Sequence, residues 1–213
     1  MSTTTHTGMI INLGLPKSGT TTLARALRRA GLHTADHRIK PAQSQNTALH
    51  GAFVGDVMYR GFFRHGDPLE GLEEFRALTE ISALKGEKSL WPQTDWALLD
   101  AIQAKHPDAR FVASRRDAVL MSDSMQRWSN LGRERLPGAT VPGLPFGYGA
   151  RSSERVRWIN GHYAALERYF AGATHFLSYD TAALDAPDLL SRFLDLDLPW
   201  WGRANSNPVR RVA

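Results

Sequence analysis

The chain has 213 residues, with 26 Lys or Arg against 21 Asp or Glu, a formal net charge of +5, and 42% hydrophobic residues. This composition excludes disorder or a fibrous structure for the chain as a whole and fits one globular domain with a sizeable core. The absence of cysteine excludes disulfides, thiolate metal sites and a cysteine nucleophile.

The first residues and the charge distribution indicate the compartment and the kind of partner. The apolar run Met9–Leu15 is far shorter than the ~20 residues that a membrane span needs. Residues 1–8 lack a secretory pattern, so we expect a flexible polar end and a cytoplasmic protein. Lys and Arg are scattered, which favours a small anionic partner over a nucleic-acid surface. The sequence leaves the oligomeric state open.

Hydrophobic periodicity alternates between short strands and longer helices. Short apolar runs predict buried strands, and helical spacing of apolar residues, with capping residues at the ends, predicts helices. In chain order the predicted elements are a strand at Met9–Leu13, helices at Thr20–Ala30, Leu69–Glu80 and Asp95–Lys105, a strand at Phe111–Ala113, a helix from Asp117 to about Trp128, a helix at Ser153–Phe170, a strand at His175–Tyr179 and a helix at Pro187–Leu194.

This alternation predicts an α/β fold. Its core would be a P-loop-like parallel sheet with helices on both faces, which binds its ligand at the carboxyl ends of the strands. No linker divides the chain, so residues 9–213 form a single predicted domain. Within it, the Pro- and Gly-rich segment 131–149 is either a cover over the site or a disordered insertion.

The first predicted strand runs into the segment Gly14–Thr22, with sequence GLPKSGTTT, which opens the first predicted helix. A glycine-bounded loop at a helix start presents backbone N–H groups to an anion. The glycine spacing equals that of a P-loop, but Thr20 stands where a P-loop has its lysine. Lys17 lies inside the loop instead, where we expect it to neutralise charge on a bridging or leaving oxygen.

Residues Leu15–Thr21 resemble the 5′-phosphosulfate loop of sulfotransferases that use 3′-phosphoadenosine 5′-phosphosulfate (PAPS). The resemblance implies metal-free transfer of the sulfuryl group from PAPS to a hydroxyl or amine of a small-molecule acceptor. It also implies that the loop side of the nucleotide is bound by Pro16, Lys17, Ser18, Gly19, Thr20, Thr21 and Thr22.

A second block, Ala109–Trp128, is similar to the family's 3′-phosphate element, a strand that ends in Arg-Asp-Pro with Ser eight residues after the Arg. Arg116 and Ser124 have that spacing, and Ala118 stands where proline is usual. An arginine at a strand end offers a forked cationic donor to a phosphate. Arg115 remains an alternative to Arg116.

Sulfuryl transfer also needs a base, for which the family uses His or an acidic residue. Glu80 resembles the acidic residue that some bacterial-type members carry after a Phe-x-x-x-Thr stretch. Asp56, His65 and Asp95 are the alternatives. Trp91, Trp96 and Trp128 fall near these motifs, and no metal site is expected.

The predicted function is therefore PAPS-dependent sulfotransfer by Lys17 and Glu80. The alternatives are a nucleotide-dependent kinase on a similar fold and a basic nucleic-acid-binding module. The acceptor is not specified by the sequence.

Overall fold

A computed structural model describes residues 8–202. The predicted flexible end at residues 1–8 lies outside this range except for Gly8. The chain forms a single α/β domain built on a five-stranded parallel sheet. This confirms the predicted fold class at that level.

The strands are β1 (Ile10–Asn12), β2 (Thr34–Ala35), β3 (Ala77–Leu78), β4 (Ala83–Lys85), β5 (Lys88–Leu90), β6 (Arg110–Arg115) and β7 (Phe176–Asp180). The α-helices are α1 (Thr20–Arg29), α2 (Val54–His65), α3 (Trp96–Lys105), α4 (Ala118–Arg127), α5 (Ser152–Tyr169) and α6 (Ala186–Leu194). The main sheet has the order β2-β3-β1-β6-β7, and β4 and β5 form a separate antiparallel hairpin.

The three strands predicted from apolar runs are confirmed as β1, β6 and β7, with ends shifted by one or two residues. All neighbouring strands of the main sheet are parallel. Strand β1 is central, because Ile11 pairs with Leu78 of β3 on one side and Phe111 of β6 on the other. The loop after β1 therefore opens at the middle of the sheet edge where ligands bind in such folds.

Both faces of the sheet are covered, because successive strand residues point to opposite sides. Ile11 and Phe111 belong to a core that also contains buried residues of α2, α3, α4 and α5. Ile10 and Val112 belong to a second core with buried residues of α1 and α6. The sequence prediction of a doubly covered sheet is confirmed.

The helix predicted at Leu69–Glu80 is wrong. Leu69, Leu72 and Phe75 are buried at helix-like spacing, but they lie in successive turns. Gly71 has φ of 81°, a left-handed conformation that interrupts a right-handed helix. The chain then enters β3, so the predicted base Glu80 follows a strand instead of ending a helix.

Helix α2 and strands β2, β3, β4 and β5 were not predicted. Two glycines inside α2 weaken its helical signal, yet they allow close packing. A Cβ on Gly55 would lie 2.3 Å from the Ile81 carbonyl oxygen, and one on Gly61 would lie 2.3 Å from that of Asp67. Strands β2 and β3 have only two residues each, too few to show a period.

The segment 131–149 is packed against α5. The buried Arg155 guanidinium donates to the carbonyls of Gly149 and Ala150, both at 2.7 Å. Trp158 Nε1 donates to the Pro142 carbonyl at 2.9 Å. The segment begins with a π-helix at Leu131–Arg135. Across residues 8–202, the structure contains no helix long and apolar enough to cross a membrane.

Candidate functional site

Asn12 fixes the sheet edge from which the site is built. Its side-chain amide is fully buried, and Nδ2 donates to the Thr79 carbonyl at 2.8 Å and to Ser114 Oγ at 3.0 Å. Its Oδ1 accepts from the backbone N–H of Gly14 at 3.2 Å and of Ser114 at 3.0 Å. One side chain therefore ties the ends of β1, β3 and β6 together, and a buried network satisfied in this way rigidifies its surroundings.

The two glycines of the loop are required by geometry. A Cβ on Gly14 would lie 2.4 Å from Ser114 Oγ, and Gly19 adopts φ of 113° with no room for a Cβ beside Thr181. Ser18 is fully buried and its hydroxyl hydrogen-bonds Ser114 Oγ at 2.7 Å. Ser18 thus holds the loop against β6, while the residues on either side face outward.

The loop leaves several backbone donors free. Among the described residues, the N–H groups of Lys17, Gly19, Thr20 and Thr21 have no hydrogen-bond acceptor. Helix α1 begins at Thr20 without an acidic residue in its first turn. Unpaired N–H groups and the positive end of the helix dipole point to the binding of an anion here.

A cavity of about 850 Å³ opens beside this loop, within the range typical of small-molecule sites. Every cofactor-binding residue predicted from the sequence lines it except Ser18, which is buried behind the loop. The predicted residues that line the cavity are Pro16, Lys17, Gly19, Thr20, Thr21, Thr22, Glu80, Arg116 and Ser124. Residues from three distant parts of the chain are brought together.

Lys17 extends from the loop into this cavity. It has φ of 73°, in the left-handed region, which is rare for a residue with a side chain. Its ammonium lies 4.7 Å from the centre of the Trp128 ring, a cation–π contact. Burial lowers the pKa of Lys17, the charge of Glu80 raises it, and the charge of Arg116 lowers it. Lys17 is therefore electrostatically coupled to both other candidate groups.

Glu80 lies two residues beyond β3, and its side chain is buried in the cavity wall. Ser82 Oγ donates to Glu80 Oε1 at 2.6 Å, and the Thr20 hydroxyl also hydrogen-bonds the carboxyl. Burial, with a smaller contribution from the charge of Asp36, raises the pKa of Glu80 to about 8. A carboxyl with this pKa can exchange a proton near neutral pH.

Arg116 and Ser124 both line the cavity, from the end of β6 and from α4. Helix α4 starts where the sequence predicts, because the Asp117 carboxylate accepts from the N–H groups of Val119 and Leu120, both at 3.0 Å. Within residues 8–202, neither the Arg116 guanidinium nor the Ser124 hydroxyl has a hydrogen-bond or ion-pair partner. Both are therefore available to an anion.

The alternative Arg115 turns away from the cavity. Its Nη1 pairs with Glu167 Oε1 of α5 at 3.0 Å on the surface, and it does not line the cavity. Of the two arginines left open by the sequence, Arg116 is the one at the site.

The three alternative bases lie outside the cavity. Asp56 pairs with Lys88 Nζ at 2.8 Å, and Asp95 caps α3 by accepting from the Leu98 N–H. His65 is exposed and pairs with Glu70. Each has a structural partner away from the loop, so of the four candidate bases named from the sequence only Glu80 lines the cavity.

Sequence reasoning missed several residues of the cavity wall. Asp36 and His37 follow directly after β2, and Arg135 comes from the π-helix. Had the two-residue strand β2 been recognised, its position before Asp36 and His37 would have marked them as strand-end residues. Nothing in the sequence marks Arg135. Of the three tryptophans near the motifs, Trp91 and Trp128 line the cavity and Trp96 does not.

Neither a protein-family model nor a curated protein matches this chain. The case for a function therefore depends on the residues of the site.

Proposed function

We propose that this chain is a sulfotransferase that moves the sulfuryl group of PAPS to a hydroxyl or amine of a small-molecule acceptor. The observation that carries the proposal is that the loop around Lys17 and the pair Arg116 and Ser124 line one cavity, although they are far apart in the sequence. A nucleotide with anionic groups at both its 5′ and 3′ positions needs two such sites. In this interpretation the fold is a P-loop-like variant that carries its lysine inside the loop.

The loop suits the 5′ end of the nucleotide. The free N–H groups of Lys17, Gly19, Thr20 and Thr21 would bind the oxygens of the phosphosulfate, and Gly14 and Gly19 allow the loop to take this shape against Ser114 and Thr181. Lys17 adds a positive charge within the same loop. Thr22 is less available, because its hydroxyl donates to the Gly202 carbonyl at 3.1 Å.

Arg116 and Ser124 suit the 3′-phosphate. The guanidinium has no partner within the described residues and offers a charged fork, and the Ser124 hydroxyl adds one hydrogen bond from the same side. Arg127, on the same wall, pairs with Asp123 at 3.3 Å and is solvent-exposed. We therefore assign the 3′-phosphate to Arg116 and Ser124.

When bound, PAPS supplies an activated sulfuryl group whose bond to the 5′-phosphate oxygen breaks as the acceptor oxygen bonds to sulfur. The Glu80 carboxylate takes the proton that the acceptor hydroxyl loses. Lys17 stabilises the negative charge that develops on the leaving phosphate oxygen, so that adenosine 3′,5′-bisphosphate departs. The burial that raises the pKa of Glu80 to about 8 makes it a stronger base than an exposed carboxylate.

Isothermal titration calorimetry tests the proposal. We expect adenosine 3′,5′-bisphosphate to bind without Mg²⁺, and adenosine 5′-phosphate, which lacks the 3′ group, to bind at least tenfold more weakly. Arg116→Ala should abolish that difference, whereas Arg115→Ala should preserve it. Binding of Mg·ATP in preference to the bisphosphate would instead indicate the kinase and overturn the proposal.

A further inference from the structure

Arg135 is a cavity residue that the proposed transfer does not use. It ends the π-helix Leu131–Arg135, which follows two residues in left-handed conformations, Ser129 with φ of 40° and Asn130 with φ of 55°. Leu131 is buried at the start of that helix. This unusual backbone sets Arg135 in the cavity wall.

The Arg135 guanidinium has hydrogen-bond donors without a partner within the described residues. Its Nη1 donates to the Leu84 carbonyl at 2.9 Å, and its Cζ lies 5.1 Å from the centre of the Trp128 ring. Its Nε is buried and has no hydrogen-bond partner. No carboxylate within residues 8–202 pairs with it, and burial lowers its pKa. A partly buried cation without a counter-charge is costly unless an anion joins it.

A second buried arginine provides the contrast. Arg155 also has no carboxylate pair within the described part of the chain, but its guanidinium donates to Ser122 Oγ and to the Gly149 and Ala150 carbonyls. It is engaged in holding the segment 131–149. Within the described residues, Arg135 makes a single hydrogen bond of this kind, although it borders an open cavity.

Within the described residues, Arg135 is positioned by contacts with Leu84 and Trp128 and not by contacts with the 3′-phosphate residues. It contacts Leu84 of β4, and its charge contributes, after burial, to lowering the pKa of His37 beyond β2. His37, Glu80 and Leu84 all line the cavity. Because Lys17 and Arg135 both contact the Trp128 ring, at 4.7 and 5.1 Å, at most about 10 Å separates the two cations. Burial raises the pKa of Glu80 to about 8, so this carboxyl repels an anion in the cavity less than an ordinary carboxylate would at neutral pH.

We infer that Arg135, whose guanidinium lies within about 10 Å of the Lys17 ammonium, binds an anionic group of the acceptor, such as a carboxylate. The inference rests on the proposed function only in identifying the bound molecule as the acceptor of the sulfuryl group. The anion site at Arg135 stands on its own residues and can be tested without turnover.

The test is an NMR titration of the ¹⁵N-labelled protein saturated with adenosine 3′,5′-bisphosphate. Acetate is the probe and acetamide, of the same shape but neutral, is the control. We expect acetate to shift the Arg135 Nε–H and Trp128 indole N–H resonances with saturation in the millimolar range, and acetamide to shift neither. In Arg135→Gln the Trp128 shift should require at least tenfold more acetate, because a charge-assisted hydrogen bond is lost.

Arg133 provides the matched control, because it lies on the same π-helix but is exposed and outside the cavity. Arg133→Gln should leave the acetate titration unchanged. Arg135→Lys keeps the positive charge and should bind acetate better than Arg135→Gln. This comparison distinguishes loss of the charge from a folding defect in Arg135→Gln. Equal binding of acetate by Arg135→Gln and the parent chain, an equal effect of acetamide, or an equal loss in Arg133→Gln would each overturn the inference.

Titration of acetate with and without the bisphosphate distinguishes failure of this inference from failure of the proposed function. If the bisphosphate removes the effect of acetate on Arg135, the arginine serves the nucleotide and the inference fails while the transferase proposal stands. If the bisphosphate does not bind at all, the titration with acetate alone still reports on Arg135, and it is the proposed function that fails.

Discussion

Replacement of Glu80 by Gln tests both the energetics and the chemistry of the site. The carboxyl is buried beside the start of α1, and its pKa is about 8 in the folded chain against an ordinary value of 4.5. Gln has nearly the same shape and can still accept a hydrogen bond from the Ser82 hydroxyl. The variant therefore removes the titratable group with little change in packing.

The sign of the stability effect follows from the direction of the pKa shift. Between pH 4.5 and 8 the folded chain keeps a proton on Glu80 that the unfolded chain has released, so this group lowers the stability of the fold as the pH rises through that interval. Gln has no such proton. At roughly 1.4 kcal/mol per pH unit, Glu80→Gln should stabilise the chain by about 1 kcal/mol at pH 5, about 3 kcal/mol at pH 7 and about 5 kcal/mol at pH 9.

Urea unfolding of both proteins at these three pH values measures the difference directly. The same variant should lose sulfuryl transfer, with kcat reduced at least about 100-fold, the usual effect of removing a general base. Its affinity for adenosine 3′,5′-bisphosphate should change less than about threefold, because Gln keeps the shape of the side chain beside the loop and its hydrogen bond from Ser82. In the parent chain kcat should rise with pH toward about 8, as Glu80 loses its proton, and this rise should be absent from the variant.

Asp56→Asn is the matched control, because Asp56 is an alternative base that pairs with Lys88 outside the cavity. It should leave kcat unchanged. If the stability difference between Glu80→Gln and the parent chain does not grow with pH, Glu80 is not a buried carboxyl that keeps its proton in the folded state. Unchanged turnover in Glu80→Gln, or a collapse of turnover in Asp56→Asn, would refute its role as base.

Three further variants test the loop and the strand end. Lys17→Ala should reduce kcat far more than nucleotide affinity. Lys17→Gly should be equally inactive, but in urea unfolding it should be about 0.5–1 kcal/mol more stable than Lys17→Ala, because φ of 73° favours glycine. Equal stability of the two variants would contradict backbone strain at this position. Arg116→Ala should weaken binding of adenosine 3′,5′-bisphosphate at least tenfold by calorimetry and leave that of adenosine 5′-phosphate nearly unchanged, whereas Arg115→Ala, which breaks only the surface pair with Glu167, should affect neither. Gly19→Ala should destabilise the fold by about 1–3 kcal/mol and abolish nucleotide binding, since φ of 113° is strained for alanine; normal binding by this variant would show that the loop tolerates another shape.

The fold was predictable where local signals are strong. Amphipathic segments predicted the helices that the structure has at 20–29, 96–105, 118–127, 152–169 and 186–194. The capping residue Asp117 predicted the start of the helix at 118–127. The error at residues 69–80 has a physical cause, because three buried apolar side chains at helical spacing lie in turns that Gly71 bends. The sheet contacts that stabilise β2 and β3 are made with distant residues, which a local pattern does not contain.

The site was predictable where one segment carries both the backbone shape and the charge. The loop 14–22 has its glycines and its lysine in one stretch, and Arg116 and Ser124 are fixed by their spacing on a strand and a helix. Asp36, His37 and Arg135 depend on which strands are neighbours and on an irregular turn, and no local feature distinguishes Arg135 from Arg133. Tertiary contacts decide which of these two arginines faces the cavity.

Strand adjacency also determines what size of ligand the site can hold. Asn12 pairs with Val112 in register, so the loop after β1 and the arginine after β6 leave the sheet from neighbouring strands. Asn12 and Ser114 bind the two strand ends to each other, and Ser18 joins the loop to Ser114. The distance between the loop and Arg116 is therefore set by a buried hydrogen-bonded frame, and a ligand with two anionic groups must match it. For this reason we expect Asn12→Ala, which breaks the frame without touching the cavity lining, to weaken a bisphosphate more than a monophosphate.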